Sequence, residues 1–121
     1  MTQRAVTVYG LASSDSCRKA RRWLEQNEVQ LRWHDLRKDG VPAARLQHWL
    51  DTLGWQQLLN RRSTTWRELD PARRDAVQDA CSALALLLAE PTAIKRPVIE
   101  WSGELPPVTV GFAPESWRQY L

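Results

Sequence analysis

The stretch Tyr9-Gly10-Leu11-Ala12-Ser13-Ser14-Asp15-Ser16-Cys17-Arg18-Lys19-Ala20-Arg21-Arg22-Trp23-Leu24 decides how this 121-residue chain is read. Just upstream, residues 5–9 are dominated by Val6, Thr7, Val8 and Tyr9, side chains that suit a strand, and Gly10 closes the run. Ser13, Ser14, Asp15 and Ser16 all carry side-chain acceptors suited to the unpaired amides of a first helical turn, so a helix is expected from Ser14 or Asp15. Strand, small-residue loop and helix therefore follow one another within twenty residues. Arg18, Lys19, Arg21 and Arg22 crowd the N-terminal half of that helix, where the macrodipole is already positive, and each cation there is unfavourable unless an anion compensates it. Two readings follow: an anion or a carboxylate-bearing thiol docks at 13–17, or the helix presents a solvated basic face with Asp15 and Glu25 as counterions. Cys17 also has two readings. A thiol in a first helical turn beside Arg18 and Lys19 can be activated, yet Cys17, Ala20 and Leu24 share the spacing of a core-facing stripe.

Outward from this segment, the chain has the length of one domain with a core that needs neither disulfide nor metal. Cys17 and Cys81 are too few for a disulfide framework, and no N-terminal apolar stretch resembles a signal peptide, so a cytoplasmic protein is expected. The very apolar run 83–89 is far too short to cross a bilayer. Seventeen basic against fourteen acidic residues give a formal charge of +3. That mild excess suits small anionic ligands better than nucleic acid, and arginine is favoured where planar oxyanions are gripped. The seven tryptophans are spread over different predicted elements, which fits core and interface packing rather than a stacking platform for bases.

Further along, residues 30–36 alternate as a second strand, and strand–helix–strand implies a parallel, right-handed crossover. Pro42 opens a helix carrying Leu46, Trp49, Leu50 and Leu53, stopped by Gly54. A helical turn at 55–59 leads into a loop at 60–69 with Arg61, Arg62 and Arg67 beside hydroxyl residues, a second anion grip or an ordinary basic loop. Asp70-Pro71 is a strong helix start. A single helix is expected from there to Pro91, with Ala76, Val77, Ala80, Cys81, Leu84, Leu87 and Leu88 facing the core. Residues 94–101 form a basic loop running into a third strand, and 108–112 a fourth. The short link between them, containing Glu104, Pro106 and Pro107, makes the pair antiparallel. Pro114 opens a terminal helix with Trp117.

This order is thioredoxin-like: an α/β fold with a four-stranded mixed sheet, built from a parallel βαβ unit and an antiparallel hairpin, in one domain over 1–121 with a helical insertion at about 42–92. That arrangement places a cis proline at Pro97, beside the loop of the first helix. Four ordered motifs carry a closer resemblance: Tyr9-Gly10 followed by Cys17 to Leu24, Trp55 to Arg67, Ile94-Lys95-Arg96-Pro97-Val98, and Val110-Gly111-Phe112. Together they resemble the ArsC family, in its YffB branch, which is related to the Spx transcription regulators. In arsenate reductases of this family a cysteine in the first loop attacks arsenate, arginines hold the oxyanion, and glutathione and glutaredoxin reduce the adduct. The resemblance puts Ser14 at the nucleophile's position, Cys17 at the second cysteine of the Spx-type pair, and Arg62 and Arg96 at two oxyanion arginines. The third arginine falls near Ala113 and the family histidine at Gly10. Neither is kept.

Two functions compete at this point. The resemblance implies a glutathione-dependent thiol or arsenate-type reductase that holds glutathione or another small anionic thiol with Ser13, Ser14, Asp15, Ser16, Arg62, Arg96 and Pro97. Glutathione would serve as co-substrate, with no tightly bound cofactor. A serine hydroxyl ionises far less readily than a thiol and forms no reducible sulfur adduct, so Cys17 would have to carry the exchange through a mixed disulfide. The other implication is a redox-inactive interaction domain of Spx type that binds RNA polymerase. Neither a membrane nor direct nucleic-acid contact is expected. Zinc held by Cys17, Cys81, His34 and His48 is disfavoured because these residues lack ligand spacing and lie on different elements.

Overall fold

The computed structural model describes residues 5–103 and 106–121; Glu104 of the hairpin link lies outside them. Its elements are β1 (Ala5–Gly10), α1 (Asp15–Gln26), β2 (Gln30–Asp35), α2 (Ala43–Leu53), α3 (Trp55–Leu58), α4 (Thr64–Arg67), α5 (Pro71–Asp75), α6 (Ala80–Ala89), β3 (Val98–Glu100), β4 (Val108–Val110) and α7 (Pro114–Trp117). They divide into two compact units, one formed by the chain up to Asp35 together with Arg96–Leu121, the other by Leu36–Lys95.

The first unit holds the whole sheet, in the order β2-β1-β3-β4. β1 runs parallel to β2 from Ala5 opposite Gln30 to Gly10 opposite Asp35, and antiparallel to β3, with Tyr9 opposite Val98 and Thr7 opposite Glu100. β4 closes the hairpin, with Val98 opposite Val110. Alternation along the strands then sorts side chains onto two faces. Val6, Val8, Ile99 and Trp101 meet Ala20 and Leu24 of α1 and Trp117 of α7 in one buried cluster. Each fully buried aliphatic side chain there contributes about 1.5–3 kcal/mol relative to exposure. The Trp117 ring sits edge-on to Trp23 at 5.4 Å, and Trp101 stacks on Tyr120 at 4.8 Å. Trp49, Trp101 and Trp117 are buried and the other four tryptophans half-buried, in keeping with the packing role the sequence implies. On the opposite face, Tyr9 and Glu100 are diagonal neighbours across β1 and β3. The Tyr9 hydroxyl donates to Glu100 Oε1 at 2.8 Å, which partners a carboxylate that is only 7 % exposed.

Helix α1 buries Cys17, Ala20 and Leu24, as its stripe predicts. It ends in a doubly bonded C-cap: Glu28 N–H donates to Glu25 O at 3.0 Å and Val29 N–H to Leu24 O at 2.9 Å, the pattern of a Schellman motif. Glu28 takes the left-handed conformation, φ 59°, where glycine is usual. That geometry costs an L-residue about 1–2 kcal/mol, of which glycine's extra unfolded-state freedom takes back about 0.5–1. Glu28→Gly is therefore expected to stabilise the protein by about 0.5–1 kcal/mol, seen as a higher denaturation midpoint with an unchanged slope.

The second unit is helical. Leu46, Trp49 and Leu50 of α2, Leu58 of α3, and Ala83, Leu86 and Leu87 of α6 are buried. An antiparallel bridge between Leu59 and Ile94 returns the chain, with Lys95 N–H donating to Leu58 O at 2.8 Å. The hydroxyls of Thr65 and Thr92 are hydrogen-bonded to each other.

Three expectations are corrected here. The loop at 60–69 contains the short helix α4, capped by Ser63, whose Oγ accepts from Trp66 N–H. The fourth strand ends at Val110. The helix expected from Pro71 to Pro91 is two helices, because Asp79 and Ser82 form a capping box: Asp79 Oδ1 accepts from Ser82 N–H at 2.8 Å, and Ser82 Oγ accepts from Asp79 N–H. The Ser82 N–H bond holds the Asp79 carboxyl below its usual range. A new start resets the helical phase. Ala83, Leu86 and Leu87 become the buried face, and Cys81 is exposed rather than in the core. No helix among the described residues is long and apolar enough to cross a membrane.

Candidate functional site

Strand direction and register decide what meets at one end of the sheet. β1 and β2 are parallel, so the loop after Gly10 and the exit from Asp35 share an edge. Because Tyr9 faces Val98, Pro97 precedes β3 opposite Gly10, and Arg96 continues toward the loop of residues 11–14. The Arg96–Pro97 bond is cis, as the fold argument expected. β4 ends at the same edge, where Gly111, at φ 85°, donates its N–H to Pro97 O at 2.9 Å. Ser14, Arg96, Pro97 and the segment 111–113 thus belong to one end of the first unit.

Ser14 is the N-cap of α1, in extended conformation, and its hydroxyl makes no capping hydrogen bond. Its backbone is fixed instead, with Ser14 N–H donating to Leu11 O and Arg18 N–H to Ser14 O, each at 3.1 Å. The amides of Asp15, Ser16 and Cys17 precede this first intrahelical bond and point out of the helix end, a donor set suited to an anion. Ser13 and Asp15 are exposed, Ser14 and Ser16 half-buried. Asp15 supplies the local counter-charge. Lys19 Nζ lies 3.3 Å from its carboxylate and Arg18 Nη2 3.6 Å. The hydrogen bond and charge of Lys19, then the charge of Arg18, hold the Asp15 carboxyl below its usual value of 3.8. This pairing favours the fold above the ordinary carboxylate pKa and weakens as pH falls through the lowered one.

Cys17 is placed differently from Ser14. It is 1 % exposed, on the inward face of the first helical turn, and its Sγ rests over the bare Cα of Gly10. A Cβ on residue 10 would overlap that sulfur and come within 3.2 Å of Trp33 Cη2. The core-facing alternative for Cys17 is the one the geometry satisfies. The sequence marks Gly10 as a strand terminator and as the position of the family histidine; its seat for the sulfur carries no sequence signal, since it depends on how closely α1 approaches β1.

His34, beside Asp35 at the end of β2, packs on Tyr9 with ring centroids 4.9 Å apart. Arg62 belongs to the second unit, exposed in the turn before α4, where its N–H donates to Asn60 Oδ1 at 3.0 Å. Neighbouring Arg61 lies over the Trp55 ring at 5.7 Å. Among the described residues no group of three His, Cys, Asp or Glu side chains could hold a metal ion.

A mixed sheet with a parallel βαβ unit, an antiparallel hairpin, a cis proline opposite the first loop and a helix N-terminus at the same edge defines a thioredoxin-like protein of the arsenate-reductase type. The ArsC family model matches residues 9–120, and the chain belongs to that family. It is 39% identical to a solved structure of a YffB protein, with a TM-score of 0.88, covering 96% of this chain and 98% of that one. A solution structure of an arsenate reductase (ArsC) related protein from Brucella melitensis is 40% identical, with a TM-score of 0.74 over 99% of this chain and 97% of that one. The global transcriptional regulator Spx of Streptococcus pyogenes is 29% identical over 119 residues, 96% of this chain and 84% of the regulator.

Proposed function

We propose that this chain binds a small anionic thiol, glutathione in the first instance, at the end of its sheet, with the amides of Asp15 to Cys17, the Ser13 and Ser14 hydroxyls, Arg96 and Pro97 as the binding groups. The observation that carries this reading is the uncommitted Ser14 hydroxyl at a helix N-terminus whose outward amides share an edge with Arg96 and cis Pro97. The ligand's carboxylate or thiolate meets a donor set with positive partial charge. Ser14 hydrogen-bonds the sulfur without attacking it, because an alcohol forms no exchangeable sulfur bond. Thiol exchange at Cys17 would need a thiolate in line with a disulfide sulfur. A sulfur sealed against Gly10 has no such approach, so the native protein acts as a binder with the reductase step silent.

Titrating glutathione into isotopically labelled protein tests this. The amides of Ser13 to Cys17 and of Arg96 are expected to shift in a saturable way at millimolar ligand, and the affinity should fall as salt is raised. Shifts absent from this loop would overturn the proposal. A second reading, binding to RNA polymerase in the manner of an Spx-type regulator, is favoured by the likeness to Spx together with the exposed Arg18, Lys19 and Arg22 on α1. Purified polymerase that fails to retain the chain at low salt would remove it.

A further inference from the structure

The segment Gly111-Phe112-Ala113-Pro114 has no part in the binding reading so far. It leaves β4 at the edge that carries Ser14 and Pro97, and it is tied to that edge by the Gly111 N–H bond to Pro97 O. Phe112 is one of three large apolar side chains among the described residues that stay exposed, at 39 %. Its ring is held edge-on to Trp117 with centroids 5.4 Å apart at 87°. Trp117 also touches Trp23 of α1, so Phe112 lies on the face of the sheet that α1 covers. The next residues, Ala113 and Pro114, are half-buried and carry no charge. One side of the proposed site is thus cationic, at the helix N-terminus and Arg96, and the other is an apolar wall. Neighbouring strands lie about 4.8 Å apart, so the ends of β1 and β4, two spacings apart, are separated by about 10 Å. β3 lies between them, so a sulfur held near the end of β1 reaches the end of β4 across β3 through an extended alkyl or aryl group of five or six carbons.

We infer that Phe112, with Ala113 and Pro114, receives an apolar substituent carried on the sulfur of the bound thiol, so that the site prefers a thioether conjugate of the thiol to the free thiol. This deepens the binding proposal and rests on it. It fits the missing nucleophile: a conjugate has no thiol to exchange and needs only to be held. An inorganic oxyanion, in contrast, would leave the apolar wall wetted and unused.

Calorimetric titration with glutathione, S-methylglutathione and S-hexylglutathione tests the inference. The hexyl conjugate is expected to bind about tenfold tighter than the methyl one, since five added methylenes are covered in part by a wall that is itself half-open. Phe112→Ala should bring the two conjugates within about twofold while leaving glutathione affinity in place. Phe112→Leu, which keeps an apolar contact over Trp117, should restore most of the preference and shows whether any loss in the alanine variant is only a folding defect. Equal binding of methyl and hexyl conjugates by the unmodified chain, alongside saturable glutathione binding, overturns this inference and leaves the binding proposal standing. A hexyl preference that survives Phe112→Ala overturns it too. If none of the three ligands binds, the underlying proposal fails and the inference with it.

Discussion

Replacing Gly10 with alanine is expected to lower stability by about 3 kcal/mol, the upper range for overpacking a closed core site. The added methyl would occupy the position of Cys17 Sγ and press on Trp33. Neither neighbour can yield easily. Cys17 is fixed on a helix whose Ala20 and Leu24 are themselves fully buried, and Gly10 is held in register with Asp35 on β2. The effect should couple to residue 17. Cys17→Ala alone removes a buried sulfur and costs about 1–2 kcal/mol, yet in the Gly10→Ala background it relieves the overlap, so the double variant should be more stable than Gly10→Ala. Urea denaturation of the four proteins closes this cycle. A Gly10→Ala variant within about 0.5 kcal/mol of the parent would show that sulfur and glycine are not in contact.

The second large effect is chemical. Ser14→Cys is expected to form a mixed disulfide with glutathione disulfide at residue 14, releasing glutathione, where the parent chain is expected to form none. The introduced thiol would occupy the N-cap of α1, where the helix dipole lowers a thiol's pKa. At neutral pH iodoacetamide should label it about threefold faster than exposed Cys81, because a larger thiolate fraction outweighs the lower nucleophilicity of a more acidic thiol. Peptide mapping by mass spectrometry separates the three sulfurs: Cys81 modified in both proteins, residue 14 only in the variant, and Cys17 in neither until denaturant is added. Labelling of Cys17 in the folded parent would undo the claim that reductase chemistry is silent. A residue-14 thiol slower than Cys81 would mean that the helix end does not activate what it holds.

Much of this architecture was legible because local signals agreed with one another. Gly10, the serine run, the stripe of Cys17, Ala20 and Leu24, and Asp70-Pro71 each mark an element boundary or a buried face by local chemistry, and the structure keeps them. The cis bond at Pro97 came from element order rather than from the residues around it. The single helix expected over 71–91 fails for one reason. Helical spacing runs on through Ala76 to Asp79, but Asp79 and Ser82 carry the side chains of a new cap. Once the phase is reset there, Cys81 moves from the core to the surface. The burial of Cys17 and the exposure of Phe112 were not legible either. Whether Cys17 is reachable depends on how closely a helix approaches a strand, and whether Phe112 is open depends on how the chain turns after β4. Neither distance is written in spacing or composition.

The hydrogen bond from Tyr9 to Glu100 joins residues 91 positions apart, and that separation sets an order of assembly during translation. When β1 leaves the ribosome it can pair only with β2; its other neighbour does not yet exist. The stretch Leu36–Lys95, continuous in sequence, can close its helices first, and β3 then arrives to pair with a strand that has been waiting with one edge bare. A newborn chain stalled before Val98 would therefore expose the edge of its central strand, the kind of surface that chaperones engage and aggregates recruit.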